Sequence, residues 1–233
     1  MKEGPILFSA PMVHAIRDGR KTQTRRIIKP QPSLEFAPIV GPYHRTLVDK
    51  RDGEQYPSPQ IYWGAADERE DYPCPYGQPG DRLWVRETWN YEWAGRAEVN
   101  RVRYFAGGYN EDVPQNYPYP RAREGKWRPS IHMPRWASRI TLEITAVRVE
   151  RLQDISETDA ATEGCALARW YQPCGLPESA QQNLGATGQV WNETWDAGCY
   201  RNGFATLWER INGRGSWAAN PWVWVVEFRR IQL

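Results

Sequence analysis

The stretch Gly19-Arg20-Lys21-Thr22-Gln23-Thr24-Arg25-Arg26 holds the residues most able to do chemistry. Lys21 stands among Arg20, Arg25 and Arg26. Neighbouring cations disfavour the charged form of an amine, and so does burial, so the Lys21 pKa is expected to fall. A neutral lysine is a competent base. Thr24, three residues on, carries a hydroxyl that such a base can activate as a nucleophile. Geometry sets a condition, because in an ideal strand residues 21 and 24 point to opposite faces. The two converge only if Lys21 lies on the turn before the strand, or if a bulge intervenes. Gly19 is expected to permit a tight approach between the preceding helix and this strand. The competing reading is a solvated basic edge, since residues 1–30 carry seven cations against two acids, a local net of +5.

Patterning predicts the elements that must position these groups. Ile6 to Phe8 is a short apolar run suited to a first strand. Pro11 to Asp18 has apolar Met12, Val13, Ala15 and Ile16, begins with Pro and is stopped by Gly19, which predicts a short helix. Thr22 to Ile28 is β-branched and Arg-rich, a second strand. Gly80-Asp81 reads as a turn into a strand over Arg82–Trp89. Arg139 to Leu152 alternates, but its parity changes around Ala146, which predicts two strands or a bulge. Ser156 is an N-cap candidate, with Asp159 at the capping-box spacing, for a helix through Ala160, Ala161 and Glu163. Phe204 to Ile211 has helical spacing with Gly213 as its stop. Trp222 to Ile231 is nearly continuously apolar up to Phe228, so it should be a central, buried strand. The sum predicts an α+β, mainly β chain: a small β-barrel with short helices, in one domain over residues 1–233. Three long insertions, at about 30–79, 90–129 and 164–200, interrupt it.

Composition narrows the class. The chain has 233 residues, 40% of them hydrophobic and 25% charged, an ordinary globular balance. No run approaches the roughly 18–20 apolar residues of a helical membrane span. No apolar segment follows Met1-Lys2-Glu3-Gly4-Pro5, so the expected setting is cytoplasmic, with the four Cys reduced. The net charge of +2 does not by itself imply a nucleic-acid partner, yet 25 of the 30 cations are Arg, whose planar fork suits phosphate, carboxylate and base edges. The Cys spacings match no zinc motif, and the chain lacks G-x-S-x-G and G-x-x-x-x-G-K-[ST].

Gly19-x-Lys21-x-x-Thr24-x-Arg26 resembles the G-x-K-x-x-[E/T]-x-R signature of the ASCH domain, a PUA-like β-barrel family. The family's usual Glu is Thr24 here, the form found in bacterial N(4)-acetylcytidine amidohydrolases, which are shorter chains of about 100 residues. The likeness continues in Gly80-Asp81-Arg82-Leu83, in Leu142-Glu143-Ile144-Thr145, in Ile155-Ser156-Glu157 through Glu163, and in Trp222 to Arg229. It covers roughly 90 residues in pieces, with the three insertions outside it. Cys74-Pro75-Tyr76-Gly77, Arg86-Glu87-Thr88-Trp89 and His132 to Arg139 also resemble the long ASCH proteins of phages and prophages.

The resemblance implies Lys21 as general base, Thr24 as nucleophile and Glu163 as proton donor, with Glu157, Asp159 and Glu143 as rivals for the last role. The implied reaction cleaves the N4-acyl amide of N4-acetylcytidine and related N4-acylcytosines to cytidine plus carboxylate. Neutral Lys21 takes the Thr24 proton, an acyl-threonine forms, the acid protonates the leaving group and water deacylates the enzyme. It requires no cofactor and no metal. Backbone N–H groups near the Gly19 turn are candidates for the oxyanion hole. Phe8, Trp84, Trp89 and Trp136 are candidates for stacking on the base, and Arg26 for binding a carbonyl or holding a carboxylate. The expected partner is a small-molecule nucleoside or nucleobase substrate, with RNA as a further possibility and no membrane; a monomer is favoured, with the oligomeric state left open. The alternatives are a non-catalytic module reading RNA or a modified base, and a ribonuclease.

Overall fold

The computed structural model of the protein describes residues 1–32, 39–65, 71–92, 101–110, 126–165 and 199–231. In chain order its elements are β1 (Glu3–Leu7), α1 (Ala10–Arg17), β2 (Gln23–Ile27), β3 (Ile39–Val48), β4 (Gln55–Ala65), β5 (Asp71–Pro73), β6 (Arg82–Arg86), β7 (Trp89–Glu92), β8 (Arg101–Tyr104), β9 (Tyr109–Asn110), β10 (Thr141–Arg151), α2 (Glu157–Thr162), α3 (Cys199–Asn212) and β11 (Trp222–Ile231).

The apolar run of β11 has a direct cause: both of its faces are covered. Trp224, Val226 and Phe228 enter one core with Ile6, Phe8, Val13, Leu83, Val85 and Ile144. Val223 and Val225 enter a second core with Leu152, Ile155, Ala160, Phe204 and Trp208. Successive side chains of a strand point to opposite faces, so a strand between two cores needs apolar residues at nearly every position. β11 lies inside a five-stranded sheet of order β1-β6-β10-β11-β2, parallel between β1 and β6 and antiparallel elsewhere. The parity change near Ala146 is a bulge: the β10–β11 register shifts between Ile144 and Ala146 within one strand.

The chain is mainly β with short helices, as expected. The sheet itself is open among the described residues, where the sequence predicts a small barrel, because β1 and β2 are its edges. The position beside β2 that a barrel would give to another strand is taken by the end of α2. Thr22 N–H donates to Thr162 O at 2.9 Å, Lys21 forms an isolated bridge with Glu163, and the Gln23 amide donates to Asp159 O at 2.7 Å. Ser156 caps α2 by accepting from Asp159 N–H at 3.0 Å.

The first insertion contains strands that its composition hid. β3, β4 and β5 form an antiparallel sheet whose Trp63 packs edge-on to Trp224, ring centroids 5.0 Å apart. In the second, β7, β8 and β9 form another. Residues 166–198 of the third lie outside the described residues.

Gly19 has φ +74°, but a side chain there would meet nothing within 4 Å. It serves as the left-handed residue that ends α1, and the close approach expected of it occurs at Gly164 instead. At Gly164, φ is +78° and a Cβ would stand 2.8 Å from Ala15 Cβ and 2.9 Å from Lys21 Cβ. Gly164→Ala is therefore expected to destabilise the fold by about 2 kcal/mol or more. Urea unfolding checks this, and an unchanged midpoint would contradict it.

Candidate functional site

Lys21 precedes β2 and so escapes the alternation of that strand. α1 holds it there: Arg20 N–H and Lys21 N–H both donate to Ala15 O, at 2.9 and 3.0 Å. The Lys21 ammonium is buried, with Nζ 2.6 Å from Glu163 Oε2 and 2.8 Å from Glu163 O. Glu163 is the C-cap residue of α2, so the helix end that takes the edge of β2 also delivers the carboxylate.

Thr24 and Arg26 lie on one face of β2, opposite Val226 and Trp224. Phe8 ties this face to Lys21. Lys21 Nζ is 5.6 Å and Arg26 Cζ 5.4 Å from the centre of the Phe8 ring. Lys21, Thr24, Glu163 and Phe8 are all buried. Arg26 is half-buried, and its Nη2 donates to Leu7 O at 2.6 Å on the solvent side of the site. Its Nε–H is buried without a hydrogen-bond partner among the described residues. The Thr24 hydroxyl likewise has no recorded partner among the described residues, and no hydrogen bond joins it to Lys21.

Opposing forces act on the amine. Burial pulls the Lys21 pKa below its ordinary value and is the largest influence; the Glu163 charge and hydrogen bond push it back up, and Arg26 pushes it down. Burial wins. Nearby, burial pushes the Cys165 thiol up to about 12, so it is protonated at neutral pH. The Tyr76 phenol is also raised by burial, with the Arg26 charge opposing.

The structure separates the rival carboxylates. Asp159 is held below its usual range by Arg25, Gln23 and Arg148 against the opposing effect of burial, which suits an ion-pair partner better than an acid. Glu143 pairs at the surface with Arg229 at 3.0 Å. Glu157 accepts from Tyr200 N–H and Arg201 N–H at 3.1 and 3.2 Å, capping α3. Glu163 alone among the four touches Lys21.

Of the stacking candidates, only Phe8 stands with Lys21 and Arg26. Trp84 alternates with Leu83 and Val85 along β6 and so turns away from the core they share with Phe8; Arg86 covers its ring at 4.6 Å. Trp89 and Trp136 pack edge-on at 6.1 Å in a third cluster with Val102, Tyr104, Met133 and Ala137. Arg139 grips Glu87 there in a two-pronged pair, both bonds 2.9 Å. Two segments of the long-form motif thus meet as scaffold. The expected oxyanion donors are also committed elsewhere: the N–H groups of Gly19, Arg20, Lys21 and Thr22 all bond to carbonyls of α1 or α2. The unpartnered Arg26 Nε–H is the better candidate.

Sequence reasoning missed Arg25. Strand alternation turns it away from Thr24 and Arg26, towards α2 and α3, where its Cζ lies 5.9 Å from the centre of the Phe204 ring. Its side chain is fully buried, and Nη1 approaches Glu163 Oε1 at 3.5 Å.

Comparison of the chain with protein-family models, with curated proteins and with solved structures finds no match in any of the three.

Proposed function

We propose that this protein is an amidohydrolase that removes the acyl group from N4-acetylcytidine and related N4-acylcytosine nucleosides, on a PUA-like fold of the ASCH type. The observation that carries this reading is the buried Lys21–Glu163 pair, 2.6 Å apart, placed just before the strand that bears Thr24. Moving one proton across that pair, from the ammonium to the carboxylate, yields a neutral base and a protonated acid together.

Neutral Lys21 then accepts the Thr24 hydroxyl proton, and Thr24 Oγ bonds to the acyl carbon. The tetrahedral oxyanion draws on the Arg26 guanidinium, whose Nε–H has no other partner among the described residues. The C–N4 bond breaks as Glu163 gives its proton to the leaving amine, releasing cytidine. A second proton transfer across the pair restores neutral Lys21, which deprotonates water as it attacks the acyl-threonine; Glu163 returns its proton to Thr24 Oγ as that oxygen leaves, and the freed acid departs as the carboxylate, its proton passing to solvent. Phe8 supplies the apolar ring beside these groups.

The test is the ultraviolet absorbance change of N4-acetylcytidine and of a bulkier N4-acylcytidine incubated with the purified protein. Conversion to cytidine is expected, with kcat/KM falling at high pH as the pair loses its one proton to solvent, along a limb below the ordinary lysine value of 10.5. Hydrolysis of neither substrate would overturn the reading and move weight to RNA binding or cleavage. RNA binding driven by phosphate contacts would weaken steeply with salt.

A further inference from the structure

The Glu163 carboxylate is shared. Oε2 meets Lys21 at 2.6 Å, and Oε1 faces Arg25 Nη1 at 3.5 Å. Arg25 is itself divided, because its Nη2 lies 3.0 Å from both Glu150 Oε2 and Asp159 Oδ2. Arg148 closes the group on the outer side, pairing with Glu150 and Glu227 and reaching Asp159 at 3.2 Å. A continuous chain of charges therefore runs from the buried amine to the half-exposed Glu227.

We infer that Arg25 is a positioning residue that competes with Lys21 for the Glu163 carboxylate, and so sets how firmly Lys21 holds its proton. This rests on the proposed reaction for its catalytic meaning. The electrostatics follow from the contacts alone. A carboxylate that gives part of its field to Arg25 gives less to Lys21, and a base must be able to lose its proton. Asp159 and Glu150 restrain Arg25 from the other side, so removing one of them should turn Arg25 more strongly on Glu163. The other groups facing Lys21 are Cys165, protonated at neutral pH, and Arg26 and Phe8 from β2 and the end of β1.

The test compares wild type with Arg25→Met, Arg25→Lys and Asp159→Asn, in two readouts. The first is the pH profile of N4-acetylcytidine hydrolysis. The second is the pH titration of Lys21 Nζ by NMR in protein labelled with 15N-lysine, which needs no substrate; the chain has only five lysines, so assignment is simple. Arg25→Met should move the Lys21 titration and the alkaline limb of the profile to higher pH by about 0.5 unit or more, and Asp159→Asn should move both to lower pH. Arg25→Lys should restore most of the wild-type position. A merely structural Arg25 would lower kcat without moving either curve, and that result would overturn the inference. Arg25 is fully buried, so if Arg25→Met does not fold, Asp159→Asn, at a partly exposed site, carries the test alone through its opposite shift. If wild type hydrolyses nothing, the proposed function fails while the Lys21 titration still decides the role of Arg25.

Discussion

Thr24→Val is expected to lower N4-acetylcytidine hydrolysis by about 10³-fold or more while the protein stays folded. The substitution removes the attacking oxygen and little else. Thr24 is buried opposite Val226 in the β2–β11 ladder, and its hydroxyl has no recorded partner to lose. Valine matches its shape and favours a strand. Urea unfolding should therefore change by no more than about 1 kcal/mol, which separates lost chemistry from lost structure. A variant with full activity would remove Thr24 from the mechanism.

Lys21→Met is expected to affect activity and stability together. Hydrolysis should fall by about 10²–10⁴-fold, the contribution of a positioned base. The fold should also lose about 3 kcal/mol, because Glu163 then keeps only the longer Arg25 contact and stays buried. The double variant Lys21→Met with Glu163→Gln should be more stable than Lys21→Met alone, since it leaves no unmatched charge. Stability should also change its response to pH. Burial lowers the Lys21 pKa in the folded chain, whereas the unfolded chain keeps the ordinary value of 10.5. Between the two the unfolded state binds more protons, so wild-type stability gains from Lys21 as pH rises through that window. This gain should be absent from Lys21→Met. Equal slopes in the two proteins would show that Lys21 titrates alike in both states.

The elements nearest the site were legible because local signals set them. β11 spans Trp222–Ile231 as its apolar run predicts, the bulge falls where the parity of β10 changes, and Ser156 caps α2. The strands of the first insertion were not legible. Pro, Gly and Tyr interrupt the alternation of β3 and β4, and their pairing depends on contacts with Trp224 far along the chain. The site divides in the same way. Lys21 and Thr24 are close in sequence, and their spacing draws attention. That Glu163 meets Lys21 is a matter of tertiary placement, since the two are 142 positions apart in sequence. Trp89 and Trp136, expected as stacking candidates, pack edge-on against each other in a cluster of their own. Arg25 looked like one more basic neighbour, and only its place on the opposite face of β2 distinguishes it from Arg26.

The proposed reaction turns on Thr24, activated by Lys21, as the nucleophile on an N4-acyl group. Its most direct test is the initial rate of cytidine formation from N4-acetylcytidine by wild type and Thr24→Val, side by side and both shown to be folded. Steady cytidine release by wild type is expected, with a rate lower by about 10³-fold or more in the variant. Equal rates from the two proteins, or no cytidine from wild type, would contradict it.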